Sequence, residues 1–271
     1  MSQLRNTLSP GDGQLRRRLA AGHSTAGPFL KIPAAAVTEA FGVAGFDFVI
    51  IDLEHGPFSI ESAETLTRAA RLAGISPVVR VGHNESSQIS RALDMGVDGL
   101  IVPHVSTREA ALAAVRAARF HPVGERGMDV FARAASWGAV EKAGYLQSAN
   151  ENTLVCLMVE GREGLSNLEA IASVPGFDVI FIGPYDLSQS LGIPGEVRST
   201  QVDTAIRGAL DVARTHGLAL GLYVDNAETA QYYLDLGVQF IALSVDVSIL
   251  TTAAAGIVDS ISHRGPRVPA E

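Results

Sequence analysis

The sequence predicts an α/β fold of the (β/α)8 TIM-barrel class in a single domain, on three observations. A chain of 271 residues suits one such barrel, typically about 250 residues, better than two unrelated domains. Short runs rich in Val, Ile, Leu and Phe alternate with amphipathic stretches from end to end, an order that builds a parallel sheet. Eight such runs can be counted, the number at which a parallel sheet closes on itself. An open doubly wound sheet is the rival architecture, but no GxGxxG follows the first strand.

The predicted strands are 28–32, 46–52, 77–81, 99–102, 154–159, 179–182, 219–222 and 240–243. Several are continuously apolar, as strands covered on both faces must be. Helical candidates lie between them at 59–73, 85–95, 108–119 and 227–236, with apolar residues at three- and four-residue spacing. A related signature recurs before strands two, four, six and eight: Gly45-Phe46-Asp47, Gly96-Val97-Asp98, Gly176-Phe177-Asp178 and Gly237-Val238-Gln239. Glycine suits the left-handed position that ends a helix, so each signature reads as a helix stop followed by a strand. A helix is expected at about 13–21, where Arg16, Arg17 and Arg18 follow one another; it would plug or flank the barrel bottom. A transit peptide is the other reading of that arginine-rich start. The one long connection, 120–150, reads as a loop of the kind that often forms a lid. The tail at about 263–271, with two prolines, is expected to be mobile.

Composition narrows the function. Hydrophobic residues make up 47% and charged residues 18%, so a large core is available and intrinsic disorder is not expected. A net charge of −8 argues against nucleic acid or an anionic membrane as partner. No apolar run approaches the roughly 20 residues of a membrane helix. Cys156 is the only cysteine, which excludes an internal disulfide and points to a reducing compartment, the cytoplasm. Lys31 and Lys142 are the only lysines, a fact that limits amine chemistry.

Barrel enzymes carry their catalytic groups at the C-terminal ends of the strands. Strand two ends Asp52-Leu53-Glu54-His55, strand three at Arg80, strand four at Pro103-His104, strand five at Glu160, and strand six runs into Gly183-Pro184-Tyr185-Asp186. Glu160 alone reads as a salt-bridge partner in the barrel mouth, with Arg80 as the candidate cation. Asp186 alone reads as a helix cap. On one rim, the two carboxylates read better as ligands of a hard divalent cation, which commonly takes one or two carboxylates and fills its shell with water and substrate oxygens. His55, three residues beyond Asp52, is the candidate general base, its ring expected to be oriented by the Asp52 carboxylate. His83 and His104 are the next candidates near that rim. Arg80 is placed to meet a substrate carboxylate or a developing enolate oxygen. No GxSxG, Walker A or HExxH motif is present.

Three segments together resemble the HpcH/HpaI family of metal-dependent (class II) pyruvate aldolases: residues 46–55 (FDFVIIDLEH), 77–80 (PVVR), and 181–188 (FIGPYDLS) preceded by Glu160. The resemblance runs from about Gly27 to near residue 255. It implies a barrel in which Glu160 and Asp186 bind Mg2+, Mn2+ or Co2+, and a 2-oxo acid such as pyruvate chelates that ion. It places Arg80 against the enolate oxygen and His55, with Asp52, in proton transfer through water. Gly183, Pro184 and Tyr185 fall beside the substrate, and the Gly124–Gly127 loop, with Arg126, near the site. Asp94 matches a family aspartate supplied by a neighbouring subunit, and family members are usually homohexamers, trimers of dimers. On the residues alone, Asp94 reads as a surface acid paired with Arg91. The chain departs from the family at Met158, where many relatives carry Gln, at Lys31, where relatives often have a small residue, and at His83, where a bulkier aromatic is familiar. These positions line the pocket, so the acceptor aldehyde is not carried over.

The expected reaction is cleavage or formation of a 4-hydroxy-2-oxo acid through a pyruvate or hydroxypyruvate enolate and an aldehyde. Oxaloacetate decarboxylation and CoA-ester cleavage use the same enolate chemistry and are the enzymatic alternatives. A Schiff-base aldolase would need Lys31 as its amine. A barrel that binds a ligand without turning it over is the non-enzymatic alternative.

Overall fold

The computed structural model describes residues 13–261. Its strands form one closed parallel barrel in sequence order, β1 to β8, which confirms the expected fold class. Along the chain, α1 (Gln14–Ala20) precedes β1 (Thr25–Leu30), α2 (Ala35–Ala44), β2 (Phe48–Asp52), α3 (Ile60–Leu72), β3 (Ser76–Arg80), α4 (Ser86–Asp94), β4 (Gly99–Val102) and α5 (Arg108–Ala118). A 3-10 segment (Arg133–Gly138) and α6 (Lys142–Asn152) lead to β5 (Leu154–Val159), α7 (Arg162–Ser166), α8 (Leu168–Ala172) and β6 (Val179–Ile182). Then come α9 (Pro184–Ser190), α10 (Thr200–Thr215), β7 (Ala219–Val224), α11 (Ala227–Leu236), β8 (Phe240–Val245) and α12 (Asp246–Ser260).

The two-residue period of a strand divides the core into two layers. In β5, Leu154, Cys156 and Met158 point into the barrel, while Val155, Leu157 and Val159 pack under the helices. In β2, Phe48 and Ile50 point inward and Val49 and Ile51 outward. Carried one step further, the same period turns Asp52 and Glu160 toward the mouth of the barrel, where both are buried. Stacked Phe48 and Phe240, with ring centroids 4.3 Å apart, fill the interior, and Phe181 meets Phe240 edge-on. The expected N-terminal helix is α1, and its Leu15 and Leu19 join the interior cluster, closing the bottom of the barrel.

The Gly-x-Asp signature is a structural device repeated around that bottom. Gly45, Gly96, Gly176 and Gly237 adopt left-handed φ values of 93°, 75°, 102° and 100°, which side-chain-bearing residues rarely take. The third residue of each signature bridges the neighbouring odd strands through its backbone: the Asp47 N–H donates to Ala26 O, and Asp47 O accepts from Ser76 N, with equivalent pairs at Asp98, Asp178 and Gln239. The aspartate side chains also anchor arginines: Asp47 pairs with Arg18, Asp98 with Arg71, and Asp178 with Arg16 and Arg119.

Three expectations change. β1 begins at Thr25 and ends at Leu30, earlier than 28–32, because its pairing with β8 slips between Gly27 and Phe29 and the chain turns after Leu30. β7 and β8 each run two residues beyond the expected ends, to Val224 and Val245. The 120–150 connection is not an open loop, since it contains the 3-10 segment and α6 and has its own small cluster of Phe120, Ala134, Ala135, Tyr145 and Ala149. In α6 only Tyr145 and Ala149 are buried, too sparse an apolar stripe to show as helical periodicity. The expected tail at 263–271 lies outside the described residues.

Candidate active site

Asp52, His55, Arg80, Gly183, Pro184, Tyr185 and Asp186 line one cleft of about 200 Å3 at the C-terminal mouth of the barrel, with Lys31, Phe29, Met158, Phe181, Tyr223 and Val245. Glu160 is buried beside it, and its Oε1 meets both the backbone N–H and Nδ1 of His104, just beyond β4.

Arg80 is the hub. Its Nε donates to Asp52 Oδ1 and its Nη2 to Asp52 Oδ2, each at 2.8 Å, a bidentate pair that fixes the guanidinium plane. Its Nη1 lies 3.0 Å from Glu54 Oε2, and its guanidinium stacks 4.7 Å over the Phe29 ring. Glu160 therefore does not take Arg80 as its salt-bridge partner, because Asp52 and Glu54 already occupy the arginine. Lys31 donates to Asp52 Oδ2 as well. Burial works against the Asp52 charge, but the Arg80 and Lys31 contacts outweigh it and pull the carboxyl down to about 2, from an ordinary 3.8.

The sign of that shift gives a prediction. A carboxyl depressed in the folded state stabilises the protein above its unfolded pKa, and the gain is lost as pH falls from about 3.8 through about 2. The difference corresponds to about 2 kcal/mol. Urea unfolding measured across that acid range should show this slope in the wild type and a shallower one in Asp52→Asn. Equal slopes would mean that Asp52 is not the group that titrates.

The Asp52–His55 pairing expected from sequence is corrected. Asp52 Oδ1 accepts the backbone N–H groups of Glu54 (3.1 Å) and His55 (3.2 Å), forming a turn, and does not meet the imidazole. An Asp at a strand end satisfies the next backbone donors locally before it reaches a side chain three residues on. The His55 ring is 63% exposed on the rim, 3.9 Å from Glu54 Oε1.

Glu160 is shifted in the opposite sense to Asp52. Burial pushes its carboxyl up, and the charges of Glu54 and Asp186 push it further, against the backbone N–H of His104. Glu54 has cationic or hydrogen-bonding neighbours in Arg80 and His104, whereas Glu160, among the described residues, meets only His104. Gly183 is required beside Glu160, because a Cβ there would lie 2.6 Å from Met158 Cε and 3.1 Å from Glu160 Oε2. Asp186 lies in the first turn of α9 and makes no side-chain cap bond there. Among the described residues no cluster of three or more His, Cys, Asp and Glu is arranged to hold a metal, so a cation held by Glu160 and Asp186 would need its remaining oxygens from water and substrate.

Asp94 and Arg126 are not part of this cleft. Arg126 Nη2 donates to Asp94 Oδ1 at 2.6 Å, and the guanidinium stacks 4.5 Å over Phe120. Asp94 thus pairs with Arg126 and not with Arg91. The pair sits where α4 ends ahead of β4, on the N-terminal side of the barrel. Burial pushes the Asp94 carboxyl up, with Arg126 opposing it.

The sequence reading passed over Glu54, two residues beyond Asp52, and the acids that follow the last two strands. Asp246 accepts the backbone N–H groups of Lys31 (2.9 Å), Ile32 (2.8 Å) and Val247 (2.7 Å), so it fixes the turn that presents Lys31. Asp225 accepts the Tyr185 hydroxyl at 3.0 Å on the rim. Applying the strand-end rule to β7 and β8 would have found both.

A closed parallel barrel that gathers Asp52, His55, Arg80 and Asp186 in a cleft at the C-terminal ends of its strands has the layout of a barrel enzyme. Its sequence specifies which kind: the profile of the HpcH/HpaI aldolase/citrate lyase family matches residues 26–253. The 4-hydroxy-2-oxo-heptane-1,7-dioate aldolase of Escherichia coli is 36% identical over 247 residues, spanning 91% of this chain and 94% of the relative. Among solved structures, an HpcH/HpaI aldolase/citrate lyase family protein from Burkholderia cenocepacia superposes with a TM-score of 0.86 at 35% identity, covering 91% of this chain and 98% of that one. An HpcH/HpaI aldolase from Desulfitobacterium hafniense gives 0.88 at 28% identity, covering 94% and 99%. The chain belongs to the HpcH/HpaI aldolase/citrate lyase family and is a carbon–carbon lyase of the class II aldolase kind, a class generally dependent on a divalent metal.

Proposed function

We propose that the enzyme cleaves and forms 4-hydroxy-2-oxo acids through the enolate of pyruvate or hydroxypyruvate, with Glu160 and Asp186 holding Mg2+, Mn2+ or Co2+. The observation that carries this reading is the pairing of Glu160, buried at the mouth with Oε1 held by His104, with Asp186 in the adjoining cleft, beside an arginine whose Nε and Nη2 are fixed by Asp52. An oxygen-only carboxylate pair suits a hard cation. When bound, that cation would polarise the 2-oxo carbonyl and offset the charge gained as the C3–C4 bond breaks.

The chain's own residues account for the rest. Arg80, oriented by Asp52 and lining the cleft, would direct its positive charge at the oxygen on which enolate charge develops. Lys31, paired to the same carboxylate, adds positive charge toward a substrate carboxylate. Phe29, Phe181 and Met158 form an apolar floor that limits water at the reacting carbon. His55, exposed on the rim, moves protons through water: it takes the C4 hydroxyl proton during cleavage and delivers a proton to C3 of the pyruvate enolate left behind, and it works in reverse during addition. With a carboxylate in place of the hydroxyalkyl group, the same site would release CO2, so oxaloacetate decarboxylation is an expected side activity. The test is a panel of aldehydes offered with pyruvate and with hydroxypyruvate, with and without added metal; no metal-dependent product from any pair would overturn the reading.

The amine route is not expected. The Lys31 ammonium is tied to the Asp52 carboxylate, whereas Schiff-base chemistry needs a free neutral amine. Borohydride added with pyruvate should leave the mass and activity of the enzyme unchanged, and a reduced adduct on Lys31 would establish the other mechanism.

The same reading includes a cytoplasmic homohexamer, a trimer of dimers. Support comes from α12, whose only buried residue is Asp246, while Leu250 and Ile257 are 61% and 65% exposed. Exposed apolar side chains along one helix would suit a contact with another chain. Sedimentation should report an assembly larger than a dimer. For Asp94, the neighbouring-subunit role remains the proposal: mixed oligomers of Asp94→Ala and Glu160→Gln should regain part of the activity that each lacks. No regain in verified mixed oligomers would leave Asp94 as the structural partner of Arg126.

A further inference from the structure

We infer that His104 is a positioning residue that aims the Glu160 carboxylate for its cation. The inference rests on the reading of Glu160 as a cation ligand. It starts from a backbone anomaly: His104 follows Pro103 with φ 58°, the left-handed region that residues other than glycine seldom occupy. Such a conformation persists where surrounding bonds hold it. Here the next residue is pinned, the Val105 N–H donating to Met158 O at 3.0 Å, and the His104 N–H donates to Glu160 Oε1 at 3.0 Å.

The side chain repeats the contact. Nδ1 lies 2.8 Å from the same Glu160 Oε1, and Nε2 lies 2.8 Å from Glu54 Oε1. The ring is 59% exposed, yet both of its nitrogens face carboxylates that are themselves only 7% and 8% exposed. Two groups of one residue thus converge on Oε1, and Oε2 is the oxygen left facing Gly183, which lines the same cleft as Asp186. Glu54 in turn reaches Arg80 through its other oxygen, at 3.0 Å. The result is a chain of contacts from Arg80 through Glu54 and His104 to Glu160, which sets the rotation of the carboxylate relative to the arginine. A carboxylate with one oxygen held in this way presents the other in a single orientation, which is how partners behind a metal ligand raise affinity.

The test is Mn2+ affinity in the absence of substrate, read from the free-ion EPR signal and by calorimetry, for wild type, His104→Ala, His104→Asn and Glu160→Gln. His104→Ala should bind Mn2+ about 10- to 100-fold more weakly, the range found when such partners are removed. Asparagine tolerates left-handed φ and keeps a donor in the Nδ1 position, so His104→Asn should recover most of the affinity. Should His104→Ala fold poorly, His104→Gly keeps the backbone N–H, accepts φ 58° without strain and gives the same comparison. Wild-type Mn2+ affinity in folded His104→Ala, with binding lost in Glu160→Gln, would overturn the assignment of His104 alone. Wild-type affinity in Glu160→Gln would overturn the placing of the cation and the inference with it. Imidazole-nitrogen hyperfine coupling to bound Mn2+ would make His104 a direct ligand, which also contradicts a positioning role.

Discussion

Exhaustive chelation is expected to lower aldol turnover by about a thousandfold or more, because Lewis-acid stabilisation of an enolate is worth several kcal/mol and each 1.36 kcal/mol is tenfold in rate. Added Mg2+, Mn2+ or Co2+ should restore it. Glu160→Gln should reproduce the loss without unfolding the chain. The amide has nearly the volume of the carboxylate and still accepts from the His104 N–H, while removing the charge that crowds Glu54 and Asp186. The variant protein should therefore be at least as stable as wild type while failing to bind the ion, a combination that a purely structural Glu160 would not give. Full turnover after verified removal of metal, or normal turnover in Glu160→Gln, would place the chemistry elsewhere.

The second large effect is at His55. His55→Ala should slow proton exchange at C3 of pyruvate by about a hundred- to ten-thousand-fold, the usual worth of a positioned acid–base group. Pyruvate and metal binding should be nearly unchanged. The reason is structural: the His55 ring stands exposed on the rim and makes no contact with Asp52, so its removal leaves the Arg80–Asp52 pair intact. Measuring exchange, and not aldol cleavage, separates the proton transfer from the identity of the aldehyde. Wild-type exchange in this variant would move the base to another histidine of the mouth.

Much of the site was legible because the barrel converts sequence position into place. Once eight strands were counted, a polar residue at a strand end belonged to one rim, and Asp52, His55, Arg80 and Asp186 do line one cleft there, with Glu160 buried beside it. Pairing was not legible. The sequence suggested Glu160 with Arg80, Asp52 with the His55 ring and Asp94 with Arg91; the structure has Glu160 with His104, Asp52 with Arg80 and Lys31, and Asp94 with Arg126. The pairs at the mouth, separated by 21 to 56 residues, meet because adjacent strands are in register, Asp52 opposite Arg80 for example, while Asp94 and Arg126 are joined by the fold of the 120–150 connection. Spacing along the chain carries no trace of that choice.

By itself, then, the sequence determined the periodicities: period two in the strands, which turns Asp52 and Glu160 inward, and the glycine stops that launch the even strands. Those are local properties of backbone geometry and apolar burial, and they survive without knowledge of neighbours. Only the tertiary structure decided which charges neutralise one another, how the Asp178 and Asp47 carboxylates tie α1 to the barrel floor, and that His104 adopts a left-handed backbone to reach Glu160. Those outcomes depend on distances of a few ångströms across the barrel mouth and floor, where desolvation makes each buried charge take the nearest available partner.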